Sequence, residues 1–201
     1  SRGFLLGGTA GRTTLNGEGL QHEDGHSHLW SSAVPNCISY DPTFAFELAV
    51  VIQDGMRRML EVQEDVYYYI TLMNENYSHP AMPKDAEQDI IKGMYKLKSV
   101  GDSQAKLRVQ LLGSGTIFRE VIEAAEMLQK DWNVASDLWG CPSFTELARD
   151  WNTVHRSNLL NPTAAPTLSH VEQCLKNTGR VSPVFETFVP WALNRLPSWS
   201  L

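Results

Sequence analysis

Short apolar runs alternate with amphipathic stretches along this chain, and this alternation limits the folds that the chain can adopt. The clearest apolar run is VYYYITL at residues 66–72, whose β-branched and aromatic side chains predict a buried strand. Apolar residues at helical spacing before this run predict a helix over residues 43–60. Strands that alternate with helices are typical of layered proteins with a largely parallel sheet. We therefore predict an α/β fold.

The alternation stops at residues 74–84 and then resumes. This stretch is polar and contains Pro80 and Pro83, which suits an extended linker better than a core element. We therefore place a domain boundary near residue 83. The pattern that follows predicts helices at residues 85–93, 116–130 and 143–151, and strands near residues 94–97, 107–112 and 135–139. The last of these helices opens with the capping-box sequence Ser-Phe-Thr-Glu.

Residues 8–42 have neither the helical nor the strand period. They are rich in Gly, Thr, Asn, Asp and Ser, and they predict a long loop with one short strand at residues 37–40. Loops of this length inside a domain are uncommon unless they have a function. Within this loop, three histidines and two carboxylates occupy residues 22–28, which we call the histidine loop. Its candidate functional residues are His22, Glu23, Asp24, Gly25, His26 and His28.

Three interpretations of the histidine loop are open from the residues alone. A zinc site needs three or four convergent ligands; His26 and His28 could supply two, but no second His/Cys pair stands at ligand spacing. The loop could also be a solvated polar surface. In the third interpretation it belongs to an active site, where imidazole donates a proton or orients a substrate anion, because its pKa lies near neutrality. We assign no metal ligands.

Gly113-Ser114-Gly115 separates a predicted strand from a predicted helix. A glycine-rich turn in that place can cradle a phosphate, but the dinucleotide fingerprint requires a third glycine where Phe118 stands. We therefore predict a tight strand-to-helix turn. Cys37 lies beside a predicted strand among apolar residues, so we expect it to behave as a small hydrophobic side chain.

Charge and composition exclude several classes of function. The net charge is -6 and there is no block of Lys and Arg, so nucleic acid is not an expected partner. No apolar run approaches the roughly 20 residues that cross a bilayer, and the first residues lack the apolar core of a signal peptide. Three cysteines without a C-x-x-C motif do not indicate a disulfide framework. We expect a cytoplasmic protein that does not bind membranes.

Four longer segments carry a resemblance to a known enzyme family. They are FLLGGTAGRTTLNGEGLQHEDGHSHL, PNCISYDP, VYYYITLMNENY and SFTELARD, in this order. Together they resemble the homodimeric, bacterial-type pyruvate dehydrogenase, the thiamine diphosphate-dependent first component of the pyruvate dehydrogenase complex. The resemblance covers about residues 1–180. Related enzymes of the transketolase type have a shorter version, in which an acidic pair and a glycine precede a histidine as Glu23, Asp24 and Gly25 precede His28.

The resemblance implies a domain order and a reaction. Residues 1–83 would be the C-terminal part of a pyrimidine-binding domain, residues 84–183 part of a transketolase C-terminal-like domain, and residues 184–201 a divergent tail. The implied reaction is the oxidative decarboxylation of pyruvate, with transfer of the acetyl group to the lipoyl group of the acetyltransferase component. The implied cofactors are thiamine diphosphate and Mg²⁺, and the implied assembly is a homodimer.

The resemblance also assigns roles within the histidine loop. His28 matches the family histidine that contacts the substrate, where it would hydrogen-bond the substrate carboxylate or the developing oxyanion. The resemblance makes Glu23, Asp24 and Gly25 the residues that fix the loop, with His22 and His26 assisting. It assigns no cofactor-binding residue to this chain.

The resemblance further implies that this chain is inactive by itself. The family glutamate that activates the cofactor and the Gly-Asp-Gly…Asn motif that holds Mg²⁺ have no counterpart in the 201 residues. Two alternatives remain open at this stage. The chain could be a non-catalytic module that associates with another subunit, or a metal-dependent hydrolase that uses the histidine loop.

Overall fold

A computed structural model of the chain describes residues 2–8, 24, 26–73, 75–176, 178 and 180–183. These residues form two sheets and six α-helices. The elements in chain order are β1 (Phe4–Gly7), α1 (Ser27–Ser32), β2 (Cys37–Tyr40), α2 (Ala45–Met56), β3 (Tyr67–Thr71), α3 (Glu87–Ile91), β4 (Tyr95–Val100), β5 (Arg108–Gly113), α4 (Ile117–Trp132), β6 (Ala135–Gly140), α5 (Phe144–Leu160), α6 (His170–Leu175) and β7 (Arg180–Pro183). A π-helical turn, Arg57–Glu61, extends α2.

The first sheet has the order β1-β3-β2, and all of its strands are parallel. The VYYYITL run forms its central strand, in which Tyr68 and Ile70 are fully buried, so the predicted strand is confirmed. One apolar cluster joins these side chains to Val51 of α2, which confirms the predicted helix. The same cluster includes Tyr95 of β4, and therefore extends past residue 83. The domain boundary near residue 83 remains a prediction.

The second sheet has the order β4-β6-β5-β7, with β4 antiparallel to β6 and the other pairs parallel. Asp137 on β6 ties three of these strands together. Its carboxylate accepts hydrogen bonds from Ser99 on β4 and from Gln110 on β5. Burial alone would raise the pKa of Asp137, but hydrogen bonds from Lys96, Ser99 and Gln110 lower it to about 2. The layered, largely parallel α/β fold is thus confirmed.

The sequence-based boundaries differ from the structure in three places. The prediction of a loop over residues 8–42 is wrong where α1 forms, because six residues are too few to display a helical period. Helix α5 continues to Leu160, well beyond the predicted end near residue 151. Strand β1, helix α6 and strand β7 were not predicted.

Each sheet has a buried cysteine on, or directly after, one of its strands. Cys37 on β2 is 1% exposed and Cys141, directly after β6, is fully buried. Burial raises the pKa of both thiols. The prediction that Cys37 acts as a small hydrophobic side chain is confirmed.

Asp41, directly after β2, joins the first sheet to the second. Its N–H donates to the carbonyl of Pro142 at 2.7 Å, and its carbonyl accepts from the N–H of Gly115 at 3.1 Å. The hydroxyl of Ser114 also lies 3.4 Å from Asp41 Oδ2. Loops of the second sheet therefore fix the position of Asp41 through Pro142, Gly115 and Ser114.

Glu47, in the first turn of α2, makes a second connection. It is 1% exposed, and its carboxylate accepts hydrogen bonds from the N–H of Phe44 at 2.8 Å and from the hydroxyl of Tyr95 at 2.6 Å. Burial raises the pKa of Glu47 to about 7, against the lowering effect of these hydrogen bonds. The buried carboxyl therefore resists ionisation.

We predict that Glu47 makes the chain less stable as the pH rises from about 4.5 to about 7, because the unfolded state loses this proton first. Glu47→Gln should remove up to about 3 kcal/mol of this dependence. Urea unfolding across this pH range measures the effect. The exposed Glu61→Gln variant is the control, and equal pH profiles for wild type and Glu47→Gln would contradict the prediction.

We also predict that Gly115→Ala destabilises the connection at Asp41. Gly115 has φ +51, and an added Cβ would lie 2.5 Å from Asp41 Oδ2. Left-handed strain and this collision together should lower the free energy of unfolding by about 2 kcal/mol or more. Gly8→Ala is the control, because nothing lies within 4 Å of its added Cβ. Similar urea midpoints for the two variants would argue against this role of Gly115.

Candidate functional site

His28 lies on α1 and is 4% exposed. Its Nε2 is 2.9 Å from the hydroxyl oxygen of Thr71, at the end of β3. Its ring also contacts the ring of Tyr69, with 5.3 Å between the centroids. The imidazole is thus held against the first sheet and is not a solvated surface group.

The parallel register brings the partners of His28 together. Tyr40 pairs with Ile70 across β2 and β3, so the next residues, Asp41 and Thr71, are neighbours. The hydroxyl of Thr71 donates to Asp41 Oδ1 at 2.6 Å. His28, Thr71 and Asp41 therefore form a continuous polar chain at the carboxyl edge of the sheet. This edge is where ligands bind in open parallel sheets.

Asp24 caps the helix that carries His28. Its Oδ1 accepts hydrogen bonds from the N–H of Ser27 at 2.9 Å and of His26 at 3.3 Å, and its Oδ2 accepts from the hydroxyl of Ser27. A carboxylate in this place stabilises the first turn of a helix. This geometry gives Asp24 a means to position His28, and the supporting role predicted for Asp24 stays a prediction.

The remaining residues of the histidine loop are placed only in part. His26 is exposed at the start of α1, and its carbonyl accepts from the N–H of Trp30 at 2.9 Å. His22, Glu23 and Gly25 lie outside the described residues. The roles predicted for these four residues stay predictions.

The Gly113–Gly115 segment is a tight turn between β5 and α4, as predicted. The N–H of Gly115 donates to the Asp41 carbonyl, and the Ser114 hydroxyl approaches the Asp41 carboxylate. These groups serve the connection at Asp41, so the phosphate-cradle alternative has no support.

Within the described part of the chain, no three or more His, Cys, Asp or Glu side chains are grouped so that they could hold a metal ion. None of the helices there is long and apolar enough to cross a membrane.

Thr71 and Asp41 were missed by the sequence analysis. Each lies at or directly after the carboxyl end of a strand that the sequence does predict, at residues 66–72 and 37–40. Polar residues at that edge were therefore the available signal, since parallel strands place their carboxyl ends together.

Two family models match this chain. Residues 1–80 match the pyruvate dehydrogenase E1 component middle domain, and residues 93–190 match the transketolase-like TK C-terminal domain. The second match continues to residue 190, whereas we expected a divergent tail from residue 184. The fold is accordingly that of a transketolase-like α/β protein.

Comparison with sequence relatives identifies a family within the transketolase-like class. The chain is 70% identical over 177 residues to a pyruvate dehydrogenase E1 component from Cupriavidus necator, 60% over 184 residues to one from Pseudomonas aeruginosa, and 57% over 183 residues to one from Escherichia coli. These matches cover 88%, 92% and 90% of this chain but only 20% of each relative. The chain belongs to the pyruvate dehydrogenase E1 component family, and it spans about one fifth of the length of these relatives.

Solved structures agree with this fold. A mutant transketolase from Pichia stipitis superposes with a TM-score of 0.57 at 13% identity, over 92% of this chain and 23% of its own. The Campylobacter jejuni transketolase gives a TM-score of 0.53 at 17% identity, over 91% of this chain and 26% of its own. At these identities the likeness concerns the fold alone.

Proposed function

We propose that this chain is a segment of a thiamine diphosphate-dependent pyruvate dehydrogenase, with the predicted division near residue 83. The enzyme would decarboxylate pyruvate oxidatively and pass the acetyl group to the lipoyl group of an acetyltransferase component. The observation that carries this proposal is the 70% identity to a pyruvate dehydrogenase E1 component over 88% of the chain. A homodimeric assembly in the cytoplasm belongs to the same proposal.

His28 is the residue that we assign to the substrate. It would hydrogen-bond the carboxylate of pyruvate or the oxyanion that develops during the reaction, and such contacts accelerate a reaction when they strengthen in the transition state. Its burial, its contact with Thr71 and the cap from Asp24 support this assignment, since a catalytic ring must be held in one orientation. His22, Glu23, Gly25 and His26 complete the proposed loop.

The cofactor supplies the electron sink for the carbanion that remains when pyruvate loses carbon dioxide. The described residues include no group that could hold Mg²⁺. These residues form no cluster of ligands that fits the metal, and we assign none of them a contact with Mg²⁺.

We predict that the chain alone does not turn over pyruvate. A site that lacks the groups binding its cofactor cannot hold the cofactor in the reactive orientation. The measurement is pyruvate decarboxylation with an artificial electron acceptor, after the chain is mixed with thiamine diphosphate and Mg²⁺. Turnover above the background without protein would contradict this part of the proposal.

A chimera tests the assignment of His28. The matching segment of the Cupriavidus necator relative is replaced by this chain's sequence, and we expect pyruvate-dependent activity within about tenfold of the parent enzyme. His28→Ala in the chimera should then lower kcat by about 100-fold or more, because a buried hydrogen-bonding group at the substrate is lost.

His155→Ala is the matched control for this chimera, because His155 is exposed on α5, where its ring stacks on Trp151. It should leave kcat within about twofold of the unsubstituted chimera. If His28→Ala behaves like this control, the role assigned to His28 is wrong. An inactive chimera that folds and binds thiamine diphosphate would speak against the proposed function itself.

A further inference from the structure

The hydrogen bonds that link His28, Thr71 and Asp41 determine which of their atoms carry a hydrogen. Thr71 has one hydroxyl hydrogen, and its oxygen is 2.6 Å from Asp41 Oδ1 and 2.9 Å from His28 Nε2. The Thr71 hydroxyl donates its hydrogen to Asp41 Oδ1, and the carbonyl of Tyr40, 3.4 Å away, is a second acceptor on the same side. The same oxygen can then only accept from His28, which requires a hydrogen on Nε2.

We infer that Thr71 and Asp41 are positioning residues that fix His28 as the Nε2–H tautomer. Nδ1 is then the ring nitrogen that gains or loses a proton. A ring in this tautomer accepts a hydrogen bond at Nδ1 when it is neutral and donates one only as the imidazolium. The catalytic consequence rests on the proposed function, whereas the tautomer itself does not.

The orientation of Asp41 is set from the second sheet. Pro142 accepts its N–H at 2.7 Å, Gly115 donates to its carbonyl at 3.1 Å, and the Ser114 hydroxyl lies 3.4 Å from its second carboxylate oxygen. Asp41 is 7% exposed and Thr71 is 3% exposed, so water has little access to compete for these hydrogen bonds. The second sheet's loops therefore hold the carboxyl group to which Thr71 donates.

This arrangement refines the interaction that His28 would make with a substrate. A hydrogen bond donated to the carboxylate of a 2-oxo acid would come from Nδ1, so the ring must first take up a proton there. Without Thr71 the ring would lose both its fixed tautomer and its orientation.

The tautomer can be measured directly on the 201-residue chain by long-range ¹H–¹⁵N correlation of the imidazole nitrogens at about pH 8, where histidine is mostly neutral. The His28 signals are identified by their loss in His28→Gln. We expect the Nε2–H pattern for wild type and for Thr71→Ser, which keeps the hydroxyl. Thr71→Val, which has a similar shape but no hydroxyl, should give a mixture of tautomers. A wild-type Nδ1–H pattern, or a Thr71→Val spectrum like that of wild type, would overturn the inference.

The chimera described above tests the catalytic consequence separately. Thr71→Val should lower kcat by about 10-fold to 100-fold with a smaller change in KM, because the ring is misplaced while the substrate still binds. Thr71→Ser should stay within about threefold of the unsubstituted chimera. Unchanged kcat in Thr71→Val would overturn the positioning role. If His28→Ala also has no effect in an active chimera, the catalytic role assigned to His28 is wrong, and the tautomer measurement remains valid. An inactive chimera that folds and binds thiamine diphosphate would instead contradict the proposed function.

Discussion

The hydrogen bonds around Asp41 are the constraint on which the proposed site depends. Asp41 ends the first sheet, yet its backbone is held by Pro142 and Gly115 from the second. Its side chain in turn receives the hydroxyl of Thr71, which contacts His28. A change in how the two sheets pack can therefore reach the imidazole through the side chains of Asp41 and Thr71. Gly115 is central to this arrangement, because a larger residue in its left-handed conformation would displace the Asp41 carboxylate.

Most of the fold could be predicted because its elements bury one face or lie fully in the core. The VYYYITL strand has β-branched and aromatic side chains, helix α4 has apolar residues at helical spacing, and both were placed within two residues. Helix α1 could not be found in this way, since its six residues take their structure from the Asp24 cap and from packing against β2. The end of α5 was also missed, because its last turns are exposed and carry no apolar stripe.

Some residues of the candidate site could likewise be predicted from the sequence, and others could not. His28 could be proposed from the sequence, since the crowding of imidazoles and carboxylates in the histidine loop has no structural explanation. Thr71 and Asp41 could be recognised from the sequence only as polar residues at the ends of predicted strands, because a linear sequence does not give the register that places residue 71 beside residue 41. The relation between those two residues requires the parallel pairing of β2 with β3. The composition of the histidine loop thus indicated His28, whereas the sheet topology was needed to identify Thr71 and Asp41 as its partners.

The two buried cysteines provide built-in reporters of local opening. Cys37 belongs to the first sheet and Cys141 follows β6, an inner strand of the second, and both side chains are almost completely shielded from solvent. A thiol-specific reagent reaches such sulfurs only when the surrounding structure transiently separates. The rate at which each cysteine is alkylated would therefore give the opening free energy of its own half of the molecule. Such measurements would reveal whether the two halves fluctuate together or independently.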